Sequence, residues 1–416
     1  MPASISSRVS VAKSSTQHKA SLAKRLLFPT LSSSELPALF ATPSTPPELT
    51  EEVYDFFALA LRAFVNPWWT KITRYDKEFL PDITRILTHV VRAVEARVLE
   101  HDLSPLVFRD IPAIVTQHYR DYRTAESKLT TSYAAGGSAT LPVLFHGLQS
   151  HMAVTAEGQI DPEYMRQVVD HVLKACLPIE DYSPEPERLV IREIVVKILV
   201  RDVIPKLSQP WFIQKMILDQ LGHSDPALST SPSPLPPTMS VTTSVSSSST
   251  SSPYAIPSYD SPESCDYAIP SLTLVSEIFT TNARLASSTL ANSFDAVVTA
   301  SRLLPYLLAQ TLTPKLVLSI VRNAKRTLFP NGYPAPAPPD PTPEEQAQMR
   351  ARLLAYRAKS AWLESHVLPL LLGSDPSTTI ATAIDPLSSQ ECNAHLIVLL
   401  LDCILGTLFP ELLHGT

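Results

Sequence analysis

The chain has 416 residues, 44% of them hydrophobic and 18% charged, with a formal net charge of −6. Only 9 glycines stand against 39 prolines, which leaves little for Gly-rich phosphate loops or multi-hairpin β architectures, both of which need glycine at special turns. The acidic balance argues against a chain-wide nucleic-acid binder. Four scattered cysteines, Cys176, Cys265, Cys392 and Cys403, argue against a disulfide scaffold or a zinc site.

At the amino terminus Arg8, Lys13, Lys19, Lys24 and Arg25 precede the first acidic residue, Glu35, with serines interleaved. Residues 1–47 read as a basic, mostly disordered tail. Three uses fit it: a plain solvated tail, an arm touching anionic lipid through Lys19, Lys24 and Arg25, or a mitochondrial transit peptide. The first thirty residues hold no continuous apolar core of a secretory signal.

From Glu48 to Gly222 the pattern is one of consecutive amphipathic helices. Val53, Phe56, Phe57, Ala60, Leu61 and Phe64 share one helical face, and Asn66-Pro67 is expected to stop that helix. Ile83, Ile86, Leu87, Val90, Val91, Val94 and Val98 form a second stripe. Asp161-Pro162-Glu163 predicts an N-terminus for a third helix, which Pro178 ends. Between Arg188 and Ile204 the polar residues Arg188, Arg192, Lys197 and Arg201 read as one narrow strip and apolar residues cover most of the rest. A helix this apolar must be enclosed on several sides, by protein or by a hydrophobic ligand. Ser208-Gln209-Pro210 is expected to cap the next helix, ending at Gly222.

Residues 223–271 are rich in Ser, Thr and Pro and read as a disordered linker in which Tyr254-Ala255-Ile256-Pro257 recurs as Tyr267-Ala268-Ile269-Pro270. Helices resume over 272–416. Thr342-Pro343-Glu344-Glu345 predicts a capping box for a helix running to about Gly373. The last helix follows Asp385-Pro386. Its apolar stretch, Leu396 to Pro410, carries Asp402 and is shorter than a membrane span requires. No segment alternates with period two, so the predicted fold class is all-α. Phosphate-loop, dinucleotide, serine-hydrolase and zinc-protease motifs are missing. His118, with Asp121 one turn on, reads as a structural pair rather than a general base. No enzyme activity, metal or cofactor is expected.

The run Phe64-Val65-Asn66-Pro67-Trp68-Trp69-Thr70-Lys71-Ile72, with Pro112 to Arg123, His171 to Tyr182 and Gln209-Pro210-Trp211-Phe212, resembles the PX-associated (PXA) domain of a branch of the sorting nexins and fungal relatives. Residues 272–416 resemble the sorting nexin C-terminal domain, through Leu328-Phe329-Pro330-Asn331-Gly332, Thr342-Pro343-Glu344-Glu345, Asn393-Ala394-His395-Leu396, Leu401-Asp402 and Leu408-Phe409-Pro410-Glu411-Leu412. Larger relatives carry spanning helices before the PXA domain and regulator-of-G-protein-signalling and PX domains in the middle. Here the Ser/Thr/Pro linker occupies that middle, and no spanning segment precedes Glu48.

The resemblance implies two terminal domains packed into one helical body around an apolar cavity, and with it lipid binding and transfer between membranes. Val190, Ile194, Val195, Ile198, Leu199, Trp211 and Phe212 are the cavity candidates. Asn66, Pro67, Trp68, Trp69, His118, Tyr119, Arg120, Asp121, Arg123, Pro210, Asn331, Gly332 and Asp402 are motif residues expected to serve packing. The expected partners are phospholipids, phosphoinositides included, at the cytoplasmic surface of endosomes or the endoplasmic reticulum. The alternative is a trafficking adaptor with a solid helical body, docking protein partners through the linker.

Overall fold

The computed structural model describes residues 21–31, 35–43, 45–73, 75–76, 78–221, 268–279, 313–334, 339–356, 372 and 375–413. Among these residues the regular structure is helical, and β pairing is limited to isolated bridges of Val154 with His151 and Ile160. In chain order the first helices are α1 (Leu22–Leu27), α2 (Pro47–Ala60), α3 (Asn66–Ile72), α4 (Phe79–Glu100), α5 (Ile111–Lys128) and α6 (Leu141–Leu148). There follow α7 (Pro162–Cys176), α8 (Ile179–Tyr182), α9 (Glu185–Ile198), α10 (Ile204–Leu207) and α11 (Pro210–Gln220). The last are α12 (Ala268–Ile278), α13 (Pro314–Leu328), α14 (Pro343–Leu354), α15 (Pro376–Ile384) and α16 (Gln390–Leu408).

Asn66-Pro67 does not stop its helix. Leu61–Val65, Leu106–Asp110 and Leu199–Val203 are π turns, and in each case proline stands two residues later, at Pro67, Pro112 and Pro205. The amide of the intervening residue bonds to the carbonyl five residues back: Asn66 to Leu61, Ile111 to Leu106, Ile204 to Leu199. A proline ring collides with the carbonyl four residues earlier, and widening the turn moves that carbonyl aside. At the second π turn the relieved carbonyl, Phe108, accepts from Ser271 Oγ at 3.4 Å.

The chain forms two compact units. Unit 1 comprises Met1–Ala96, Cys176–Glu187 and Leu312–Pro338. In it α1 and α13 both pack on α2. Residues 21–47 are therefore not a free tail. Ala23, Leu27 and Leu39 are fully buried, Phe28 meets Tyr54 edge-on at 5.1 Å, and Arg92 donates to the carbonyls of Leu39 (2.9 Å) and Ala38 (2.5 Å). Residues 1–20, with Lys19, lie outside the described residues.

Unit 2 comprises Arg97–Ala175, Arg188–Thr311 and Pro339–Thr416. Its centre is α5, which packs on α6, α12 and α16, while α10 also packs on α16 and α11 packs on α14. The capping box is formed: Thr342 Oγ1 accepts from the Glu345 amide at 3.3 Å, and Glu345 accepts from the Thr342 amide at 2.7 Å. That helix ends at Leu354, and residues 357–371 lie outside the described ones. Helix α12 begins at Ala268, so the last residues assigned to the linker are helical; residues 222–267 lie outside the description. Ser208 is not a cap. Its hydroxyl donates to the Pro205 carbonyl at 3.1 Å, and Gln209 is the N-cap of α11.

Among the described helices, α16 is the one long and apolar enough to cross a membrane by length and composition. Its amino-terminal half is buried in unit 2, where Asn393 Nδ2 donates to the carbonyls of Ser208 (3.0 Å) and Leu387 (2.9 Å).

Candidate lipid-binding surface

The apolar helix expected as a cavity wall is α9 continued through the π turn Leu199–Val203 into α10. Of its polar strip only Arg188 and Arg192 face α7, whereas Lys197 and Arg201, half a turn round the helix, are exposed. Arg188 and Arg192 lie 3.6 and 3.8 Å from Asp170, and Glu193 accepts from Arg166 at 3.2 Å. That ladder orients the remaining surface of the helix. Of the nine apolar residues Leu189, Val190, Ile191, Ile194, Val195, Val196, Ile198, Leu199 and Val200, only Ile191 and Val196 are buried. Val190, Ile194, Val195 and Leu199 are half-buried and Ile198 is exposed. A helix closed into a solid core would bury most of these side chains.

Where α9 gives way to α10, a pocket of 340 Å³ opens, with Val200, Ile204 and Pro205 on one side. The stretch 157–160 and the first turn of α16, through Gln390, Glu391 and Ala394, complete its wall. Gly158 takes φ +72°, and a Cβ there would lie 2.6 Å from the Glu391 Cα. Glycine thus lets the 151–160 loop close against α16. In a chain this poor in glycine, Gly158 was the one available signal for the site, and sequence reasoning passed over it. A second pocket, of 280 Å³ in unit 1, is lined by residues including Phe28, Tyr54, His89 and Arg92. Both volumes are at or below the small end of ordinary ligand sites.

None of the seven expected cavity residues Val190, Ile194, Val195, Ile198, Leu199, Trp211 and Phe212 lines either pocket. Trp211 is buried with Leu218, Met349 and Leu353, and Phe212 packs against that cluster, locking α11 to α14. Pro210 opens α11 at its first position. Lys24 and Arg25 sit on α1, Lys24 half-buried and Arg25 exposed.

The remaining motif residues join elements. His118 Nε2 donates to the Pro386 carbonyl at 3.0 Å, and burial pushes its pKa down to about 4. Tyr119 donates to the Ala383 carbonyl at 2.9 Å, and burial raises its pKa to about 12. Arg120 and Arg123 both grip Glu277 of α12, at 3.0 and 2.8 Å. Asp121 accepts from Gln117 at 2.9 Å rather than from His118, and burial raises its pKa. Asp402 accepts from Tyr164 (3.0 Å) and His151 (2.9 Å), with its pKa also raised by burial. Among the described residues no group of three or more His, Cys, Asp or Glu side chains is arranged to hold a metal ion.

In unit 1, Trp69 stacks on Phe79 at 3.7 Å and Trp68 Nε1 donates to the Phe64 carbonyl at 2.9 Å. Asn66 accepts from Thr70 Oγ1 at 2.8 Å, Pro67 takes the second position of α3, and Asn331-Gly332 forms the turn after α13, with Gly332 at φ +73°.

The PXA domain model matches residues 46–220. Residues 46–220 are thus similar to the PXA domain. PXA domain protein 1 of Schizosaccharomyces pombe is 26% identical over 158 residues, covering 38% of this chain and 31% of that protein. Sorting nexin-13 of Homo sapiens is 22% identical over 186 residues, 42% of this chain and 19% of that protein. Sorting nexin-25 of Mus musculus is 22% identical over 174 residues, 41% and 19%. The match therefore spans under a third of these relatives' own length. No solved structure matches significantly. The matched region holds α2 to α11, so the π turns, the apolar α9 and the paired tryptophans are all inside it.

Proposed function

We propose that this protein is a non-enzymatic phospholipid-binding protein of endomembrane trafficking, which holds an acyl chain along the open side of α9 and carries lipid between membranes. The observation that carries this reading is the apolar surface of α9 and the following π turn, left half-open while Arg188 and Arg192 tie the helix to α7. Each CH₂ taken out of water there contributes about 0.8 kcal/mol, so one chain of ordinary length gives a substantial holding energy. Two of the relatives carry the name sorting nexin, which supports a role in membrane sorting. Helices α13 to α16 belong, in this reading, to a domain of the sorting nexin C-terminal type. Lys19, Lys24 and Arg25 add contact with anionic lipid, and phosphoinositides fall within the ligand class.

Native mass spectrometry of the purified full chain, followed by lipid extraction, tests this directly. The expected result is stoichiometric co-purified phospholipid, reduced at least tenfold in an Ile194→Gln/Leu199→Gln variant that keeps its helical content. A clean apo mass that stays unchanged after incubation with liposomes would overturn the reading. It would leave the protein-docking adaptor as the better account.

A further inference from the structure

Two segments of unit 1 contain no aspartate or glutamate: residues 61–73 and residues 313–334. The first carries Arg62 and Lys71, and the second carries Lys315, Arg322, Lys325 and Arg326. They meet in space. Phe64 lies 6.4 Å from Phe329, and the Arg62 guanidinium sits 4.6 Å over Tyr333 while donating to the Gly332 carbonyl.

Helix α13 docks by its charged side. Arg322 bonds to Glu48 and Glu52 of α2, both at 3.1 Å, and Lys325 pairs with Glu52. Leu318 is buried and Val321 half-buried on that docked side, and a second row of apolar side chains points away from the unit. Leu316, Val317, Ile320 and Leu328 are all exposed, Ile320 by 57%. Phe64 and Ile72, eight residues or about two turns apart across the start of α3, are 53% and 69% exposed, with Trp68 midway. Arg62, Lys71, Lys315 and Arg326 have no carboxylate partner among the described residues.

We propose that this face of unit 1 lies on an anionic bilayer. The exposed apolar side chains enter the boundary between headgroups and acyl chains, and the four cations meet lipid phosphates. Apolar and aromatic side chains flanked only by Lys and Arg are the composition of helices that rest in a membrane interface. A second copy of the chain is a poor occupant, because two acid-free segments laid on each other would set their cations against one another. Anionic lipid matches both the apolar stripe and the sign of the charge. This docking face is separate from α9 and stands whether or not α9 takes up a lipid.

The test is sedimentation of the full chain with phosphatidylcholine vesicles, with and without about 30 mol % phosphatidylserine. Binding is expected to the anionic vesicles alone and to weaken as salt is raised. Lys71→Gln/Arg326→Gln should lower the partition coefficient about fivefold per charge, so roughly 25-fold for the pair. Ile72→Ser/Ile320→Ser should release the protein from the same vesicles without any change of charge. All four positions are exposed, so melting curves should match the parent; if the serine variant does not fold, the glutamine variant carries the test. Both variants binding as tightly as the parent would overturn the proposal. So would a parent that light scattering finds dimeric and that Ile320→Ser converts to monomer. Co-purified lipid, measured on the same variants, is expected to be unchanged, whereas Ile194→Gln/Leu199→Gln should lose that lipid and still sediment with vesicles.

Discussion

His118 and His395 are almost wholly enclosed, at 0% and 1% exposure, and the Nδ1 of each has no hydrogen-bond partner. Burial holds both imidazoles down to about 4, and for His395 the neighbouring His146, His151 and His118 push in the same direction. In an unfolded chain these groups titrate near 6.5. Above that pH neither state is protonated and the fold loses nothing. As pH falls from 6.5 towards 4 the unfolded chain takes up protons that the folded one refuses, so stability declines. For His118 the full effect is about 3 kcal/mol. Asp402, with its pKa raised by burial, offsets part of this loss because its protonation favours the fold. Urea unfolding should show a midpoint that drops between pH 7 and pH 4.5, and His118→Gln should make that drop shallower; equal slopes for the two proteins would refute the assignment. Little of this was legible in the sequence. The pairing of His118 with Asp121 was inferred from adjacent helical turns, yet the true partner of His118 is a carbonyl 268 residues away. Local spacing carries no information about a contact at that range.

At the scale of single elements, the helical stripes, the capping box and the start of α7 were all readable, because each depends on residues within a few turns of one another. The π turns were not. A proline after a helical stripe signals a stop, and only a neighbour that supports the continued helix allows the chain to widen one turn instead. The aromatic contacts of Trp69 with Phe79 and of Phe64 with Phe329 supply that support around Pro67. The orientation of α13 was equally hidden, since periodicity identifies an apolar face without saying what it meets. Gly158 gives the sharpest test at this scale. Gly158→Ala places a methyl 2.6 Å from the Glu391 backbone and forces φ +72° on a residue with a side chain. The expected cost is about 2–4 kcal/mol, measured by thermal or urea unfolding, with the 340 Å³ pocket disturbed. An unchanged midpoint would mean that the loop does not close on α16 as described.

Across the whole molecule, the all-α class was readable from composition and period. The partnership between helices far apart in sequence was expected from family resemblance alone. In unit 1, α13 is held on α2 by ion pairs spanning about 270 residues. In unit 2, α16 packs on α5 and α10, and α14 packs on α11. Each unit is thus assembled from both sides of residues 222–267. Expressed alone, residues 1–221 should be poorly soluble or only partly protected from amide exchange, because α5, α10 and α11 lose the helices that cover them. Co-expressed residues 268–416 should restore protection and co-purify with the first fragment. A stable, fully protected 1–221 fragment would show that the covering helices are dispensable.

The long reach of the α2–α13 contact also sets a clock on biosynthesis. Glu52 leaves the ribosome about 270 residues before Arg322 exists to meet it. At ordinary elongation rates, about 5–20 residues per second, that is a wait of roughly 15–50 s. During this time the emerging helices of the first half hold apolar faces with no native cover, so the cell must shield the nascent chain until its final third has been made.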